Sequence, residues 1–231
     1  MKKILFFVSL IPTLLFSQSY DWLISAPQID QEAWNDQMAA TSLSDDGSII
    51  AIGAPGNDEN GNDAGNVRVF ENISGLWTQK GNDIYGESAD DHCGSSVSLT
   101  PNGLTVAIGS DNANGYYVGQ VRIFDFDGSN WIKRGSNINS VGEGNFGKSV
   151  AISSDGNTVA IGAPTGSGPG LCRVYNWDGS SWSQLGIDIV GESSYDLSGK
   201  SVSISSDGLT VAIGAPNNSG NGTGSGTGHV R

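Results

Sequence analysis

The sequence predicts an all-β fold, a β-propeller of four-stranded antiparallel blades whose ring is incomplete. Three observations predict it. One seven-residue phrase recurs four times, each copy lies among short apolar runs separated by Gly-rich turns, and no helical periodicity follows the N-terminal segment. The copies are Ile49-Ile50-Ala51-Ile52-Gly53-Ala54-Pro55, Thr105-Val106-Ala107-Ile108-Gly109-Ser110-Asp111, Thr158-Val159-Ala160-Ile161-Gly162-Ala163-Pro164 and Thr210-Val211-Ala212-Ile213-Gly214-Ala215-Pro216. Their shared glycines are spaced by 56, 53 and 52 residues, a period that belongs to solenoids, propellers or arrays.

The surroundings of each copy give the blade. Upstream lies an apolar run ending in Asp46-Gly47, Asn102-Gly103, Asp155-Gly156 or Asp207-Gly208. Such pairs between apolar runs signal a tight hairpin with positive φ at both turn residues. Downstream comes an alternating run, Val67-Arg68-Val69-Phe70, matched by Val121-Arg122-Ile123-Phe124 and Cys172-Arg173-Val174-Tyr175. A Gly/Ser/Asp turn then leads to Trp77, Trp131 or Trp182, and a fourth strand runs from there to Ile84, Ile138 or Ile189. Four short strands in each repeat is the size of one propeller blade. The second strand is rich in Ala and Gly, as a strand covered on both faces requires, and the outer strand carries the tryptophan.

Taken in order, residues 1–19 combine Lys2 and Lys3, an apolar run from Ile4 to Phe16 and Ser17-Gln18-Ser19. This predicts a secretory signal peptide cleaved near Ser17 to Ser19, and hence a secreted or cell-surface protein with no membrane insertion of the mature chain. In residues 20–37 Trp22 precedes Ile29 and Glu32 at the spacing by which Trp77 precedes Ile84 and Glu87. That segment is therefore expected to supply the outer strand that closes a ring. Blades one to three are expected over 38–90, 91–143 and 144–196. The incomplete fourth covers 197–231 and stops two residues into its third strand, so the sequence reads as a fragment of a larger propeller.

The formal charge is −13, and −15 without Lys2 and Lys3, which disfavours nucleic acid and anionic membranes as partners. Eight of the nine remaining basic residues share repeat positions: Arg68, Arg122, Arg173 and Arg231; Lys148 and Lys200; Lys80 and Arg134. They are expected to serve the architecture, the strand-three arginine laying its stem between blades and reaching a carboxylate such as Glu87 or Glu192. Cys93 and Cys172 stand where the repeat places hydrophobes and are expected in the core rather than in a disulfide.

Phe146-Gly147, followed after a hairpin by Gly162-Ala163-Pro164, is the pattern that names the FG-GAP repeat. Over residues 20–231 the chain resembles that family, including the integrin α-subunit β-propeller. Phe146 is replaced by Cys93, Ser198 and Gln37 in the other units. The Asp-rich calcium loop of many family members is absent, its place between strands one and two held by turns such as Ser44-Asp45-Asp46-Gly47. The family's calcium sites therefore do not carry over.

The stretch Asn57 to Asp63 is rich in oxygen ligands but misses the spacing of a calcium loop. No cofactor is expected, and calcium binding at Asp58 and Asp63 would be weak at most. Asp90-Asp91-His92-Cys93 has no second half with which to build a zinc or Cys/His centre, and no nucleophile motif accompanies His92 or His229. The strand 2 to 3 loops hold 9, 7, 5 and 11 residues and differ completely in composition, while the opposite face is uniform. Binding specificity is expected on such loops. The candidates on that face are Asp58, Glu59, Asp63, Asp90, Asp91, Asp111, Tyr116, Tyr117 and Asp196. The sequence thus predicts a non-catalytic adhesion or binding module for an extracellular protein or glycan. Its alternative is a secreted carbohydrate-active hydrolase or lyase using acids on the same face.

Overall fold

A computed structural model of the chain describes residues 28–113, 118–140, 142, 144–165, 168–220 and 226–231. The expected signal peptide, Trp22, Glu143, Tyr116 and Tyr117 lie outside them. The described residues form strands and turns without helix, so none of their elements is a helix long and apolar enough to cross a membrane.

The first sheet holds β1 (Ala40–Leu43), β2 (Ile49–Ala54), β3 (Asn66–Ile73), β4 (Leu76–Gln79) and β5 (Ile84–Tyr85). Its order is β1-β2-β3-β4, all antiparallel, with β5 also paired to β3. The second repeats it with β6 (Cys93–Leu99), β7 (Thr105–Ser110), β8 (Gln120–Phe126), β9 (Trp131–Lys133) and β10 (Ile138–Asn139). The third does so with β11 (Ser149–Ile152), β12 (Thr158–Ala163), β13 (Leu171–Trp177), β14 (Trp182–Gln184) and β15 (Ile189–Val190). A fourth sheet contains β16 (Ser201–Ile204), β17 (Val211–Ala215) and β18 (His229–Val230). Among the described residues no sheet closes on itself.

The core lies between sheets rather than within one. Ile49, Val67 and Val69 of the first sheet pack with Val97, Ile108 and Phe124 of the second, and the pattern repeats between the second and third and between the third and fourth. Strands β7 and β12 are buried at every position, as the Ala/Gly-rich composition predicts. Burying one Val or Ile side chain stabilises the fold by roughly 1.5–3 kcal/mol, so stacking of successive sheets supplies the driving force. Backbone meets backbone at the glycines of the repeated phrase. A Cβ on Gly53, Gly109 or Gly162 would overlap the carbonyl oxygen of Gly94, Gly147 or Gly199 in the next unit. The glycine that ends each second strand thus touches the glycine that opens the next unit. Cys93 and Cys172 are free and buried, and burial pushes the Cys172 thiol up to about 12.

Three expectations need correction. First, the outer strand is two strands. Between β4 and β5 the chain turns at Gly81, where an added Cβ would press on Trp131, whose indole N–H donates to the Lys80 carbonyl at 2.7 Å. Trp182 does the same to Arg134 at 3.0 Å. The break makes room for the next unit's tryptophan. Second, the strand 1 to 2 links are not two-residue turns with positive φ at both positions. Five residues, 44–48 in the first unit, separate the strands, and of the Asp46-Gly47 pair only the glycine has positive φ, at 70°. The Asp46 side chain explains this, because it accepts from the Ser44 hydroxyl at 2.7 Å and the Ser48 amide at 2.9 Å. Third, Met38 rather than Gln37 takes the place of Phe146. The Ala39 amide donates to Gly53 O at 3.0 Å as that of Gly147 donates to Gly162 O at 3.1 Å, and Gln37 shares with His92, Asn145 and Leu197 the positive φ of the preceding position.

Candidate functional site

The first strand 2 to 3 loop, the ends of the second strands and the connections between sheets open onto one cavity of about 560 Å³. Each unit contributes equivalent positions: Gln37, His92 and Asn145 from the connections, Pro55, Asp111 and Pro164 from the ends of the second strands, and Lys148 and Lys200 from the starts of the first strands. The left-handed backbone at Gln37, His92 and Asn145 accompanies their common place on its wall.

Asp111 is the centre of this wall. It stands where the other units have proline, and its carboxylate is almost wholly buried. Lys148 Nζ lies 2.8 Å from its Oδ2, and His92 Nδ1 lies 3.3 Å from its Oδ1. A buried carboxylate without a partner is costly, so these two groups are what allow an acid here. The Ser95 hydroxyl, also on the cavity, donates to the Gly109 carbonyl at 3.2 Å and accepts from the Asp111 amide at 3.3 Å. It is thereby held by backbone rather than presented to the imidazole.

The sequence-predicted candidates separate into three groups. Asp111 and Asp63 line the cavity. Asp91 and Asp196 lie on the same face but are buried, and their carboxylates hold the connections: Asp91 Oδ2 accepts the amides of Glu87 and Ser88 at 2.8 and 2.9 Å, and Asp196 Oδ2 that of Ser193 at 2.8 Å. Asp36 does likewise for Glu32 and Ala33. Asp58 Oδ1 accepts the Asp63 amide at 2.8 Å and pins the first loop, while Asp90, at a φ of 64°, accepts from Asn62 at 3.5 Å. Glu59 instead turns outward to meet Glu32 and Asp83. Sequence reasoning missed His92, Lys148 and Lys200 as cavity residues, having assigned the lysines to the architecture. The signal was present in their repeat positions, which flank the second-strand ends.

The other repeat-locked cations do serve the architecture. Arg68 reaches Glu32 at 3.1 Å, Arg122 reaches Glu87 at 3.7 Å, and Arg231 pairs with Glu192, each crossing to the preceding unit. Arg68, Arg122 and Arg231 also donate to the carbonyls of Asp30, Tyr85 and Val190, so residues 30–32 occupy the place of the preceding unit's outer edge. Arg173 pairs with Asp188 of its own sheet at 2.7 Å. Lys80 and Arg134 pair with Glu71 and Asp125 on their own third strands.

No family model matches the chain, and no curated protein matches it. Among solved structures the chain is similar to hydrazine synthase of Kuenenia stuttgartiensis, at 15% identity and a TM-score of 0.53, over 76% of this chain and 49% of that one. The chain thus spans about half the length of that protein, and at this identity the likeness concerns the course of the backbone alone.

Proposed function

We propose that this chain is part of a secreted or cell-surface β-propeller of FG-GAP type, a non-catalytic binding module that presents its variable loops to an extracellular protein or glycan. Secretion rests on the character of residues 1–19, and the FG-GAP reading on the glycine contacts between units. The observation that carries the function is one polar cavity on the face of the variable loops, walled by equivalent strand-end and connection residues of successive units. Concave sites with a few charged groups placed on a rigid scaffold are where ligands are taken. Asp111, Lys148, Lys200 and His92 offer acceptors and donors of both signs, which suits hydroxyl-rich or charged polar ligands.

The test is a panel of immobilised glycans and extracellular protein domains probed with the mature chain and two variants. Lys148→Ala with Lys200→Ala is expected to weaken binding at least tenfold, and Asp127→Ala on the opposite face to leave it unchanged. The reverse pattern would move the ligand to the other face.

One observation favours the hydrolase or lyase as a second reading. His92 and Asp111 form a dyad that leaves Nε2 available for proton transfer in the cavity. Release of reducing ends or unsaturated products from a polysaccharide, abolished in His92→Ala, would establish it in place of the binding module.

A further inference from the structure

Away from the cavity, three segments bring Glu32, Glu59 and Asp83 together, one oxygen of each lying within 4.8 Å of the others. They come from the stretch before β1, the loop between β2 and β3, and the break between β4 and β5. The Tyr85 hydroxyl donates to Glu59 and, at 3.1 Å, to Asp83. Asp83 also accepts from the Gln79 amide, and Arg68 lies 3.1 Å from Glu32. One guanidinium thus faces three carboxylates. Beside them is Asn66, 1% exposed, both of whose side-chain atoms lack a hydrogen-bond partner. It pairs across the β3–β5 ladder with Tyr85, whose hydroxyl meets Glu59 and Asp83.

The second unit shows what this place looks like when it is closed. There Asn137 replaces Asp83 and donates at 2.7 Å to both Glu87 and Gln120, the counterparts of Glu32 and Asn66. Lys133 replaces Gln79 and lies 3.6 Å from Glu87, which Arg122 also approaches. One acid there meets two cations and an amide bridge. In the first unit the same positions hold one cation, additional acids and a buried amide with nothing to bond, an arrangement that is costly without a further ligand.

We propose that Glu32, Glu59, Asp83 and the side-chain oxygen of Asn66 form a binding site for a hard divalent cation, calcium by its donor set. The donors are all oxygens, without the His or Cys that zinc and the softer metals take. They come from three separate segments, a loose frame that suits calcium's variable coordination better than magnesium's octahedron. Three carboxylates face the single guanidinium of Arg68, so negative charge is in excess. The bound ion would tie the first variable loop to the outer edge of its own sheet and to residues 28–36. This is a different place from the Asp58 and Asp63 loop and from the strand 1 to 2 links. Water can reach Glu32 and Glu59, which places the affinity with that of extracellular calcium modules, a Kd on the order of 10⁻⁴–10⁻³ M.

Terbium titration of the purified chain tests this, with Tyr85 as the sensitising ring beside the ligands. The expected result is saturable luminescence that calcium displaces. Glu59→Gln, an exposed loop change that does not threaten folding, and Asp83→Asn should each raise the apparent Kd at least tenfold, while Asp58→Asn leaves it unchanged. Absence of saturable luminescence, or an unaltered Kd in Glu59→Gln, would overturn the assignment. Loss of binding in Asp58→Asn with retention in Glu59→Gln would also overturn it, moving the ion to the loop itself.

Discussion

Asp155 and Asp111 lie on opposite faces of the molecule, and their exposure is the reverse of what their roles suggest. Asp155 is exposed, yet its carboxylate serves the chain, accepting the Ser153 hydroxyl at 2.6 Å and the Asn157 amide at 2.9 Å. Asp111 is buried, yet its partners are a lysine and a histidine on a cavity wall. The turn face repeats its arrangement in every unit: Ser44 with Asp46, Thr100 with Asn102, Ser153 with Asp155, Ser205 with Asp207. On the loop face Asp36, Asp91 and Asp196 share one position, but only the second unit ends its second strand on an acid, Asp111, where the others have proline. The partner of a carboxylate, not its exposure, separates an acid that builds the fold from one left for chemistry.

The largest effect that would sharpen this contrast comes from two glycines. Gly109 ends a second strand toward the loop face, where a Cβ would overlap Gly147 O, a backbone atom that cannot rotate away. Gly128 sits in a turn on the other face with open space around it and a φ of 103°. Gly109→Ala is expected to cost about 3 kcal/mol, the upper range for overpacking, and Gly128→Ala about 1 kcal/mol through backbone strain alone. Equal urea midpoints for the two variants would mean that contact between units is not what holds the sheets in register.

A smaller difference is expected between side chains. Asp155→Ala removes the shared acceptor of a turn and should lower stability by about 0.5–1 kcal/mol, the lower part of the hydrogen-bond range because the turn is wet. Lys200→Ala on the cavity wall should stay within about 0.5 kcal/mol of wild type while altering binding. If Lys200→Ala destabilised the chain more than Asp155→Ala, the cavity lysines would belong to the architecture after all.

The turn aspartates and Glu32 should also titrate with opposite sign. The Ser48 amide and the Ser44 and Ser48 hydroxyls hold Asp46 at about 2, and the Ser153 hydroxyl and Asn157 amide lower Asp155. A carboxylate lowered in the fold stabilises it above the unfolded value, near 4, and that contribution is lost as pH falls through the folded value. Glu32 is raised, chiefly by burial, so its contribution is full below the unfolded value and lost as pH rises through the folded one. In urea midpoints between pH 2 and 7, Asp155→Asn should flatten the acid limb below pH 4, and Glu32→Gln should flatten the decline above it. A common sign for both would break the comparison.

Much of the repeat was legible because it is local: strand positions and the Gly-to-Gly period follow from spacing along the chain. What depends on how one sheet sits against the next was not. Nothing within one repeat says that Trp131 will cap the Lys80 carbonyl and so divide the preceding outer strand. The one-residue shift at Met38 escaped because the first unit has neither the phenylalanine nor the glycine of the pattern. The meeting of Glu32, Glu59 and Asp83 depends on the offset between units, and only Glu59 was a candidate in advance.

The smallest expected effect tests whether the turn face is as uniform as it looks. In the second unit Asn102 does the work of the aspartates, accepting the Thr100 hydroxyl at 2.8 Å and the Leu104 amide at 3.0 Å through Oδ1. Asn102→Asp keeps the geometry and makes both bonds charge-assisted, which strengthens them. The added charge also joins a chain already at −13, which works the other way, though at physiological ionic strength exposed charges beyond about 8 Å are largely screened. The local gain should therefore win at neutral pH, by less than about 0.5 kcal/mol, as is usual for surface changes. The gain should vanish as pH falls toward 3, because the new carboxylate protonates while the wild-type amide does not change. A variant no more stable than wild type at pH 7, or one whose gain survives at pH 3, would show that the asparagine copy is held by its strands rather than by its side chain.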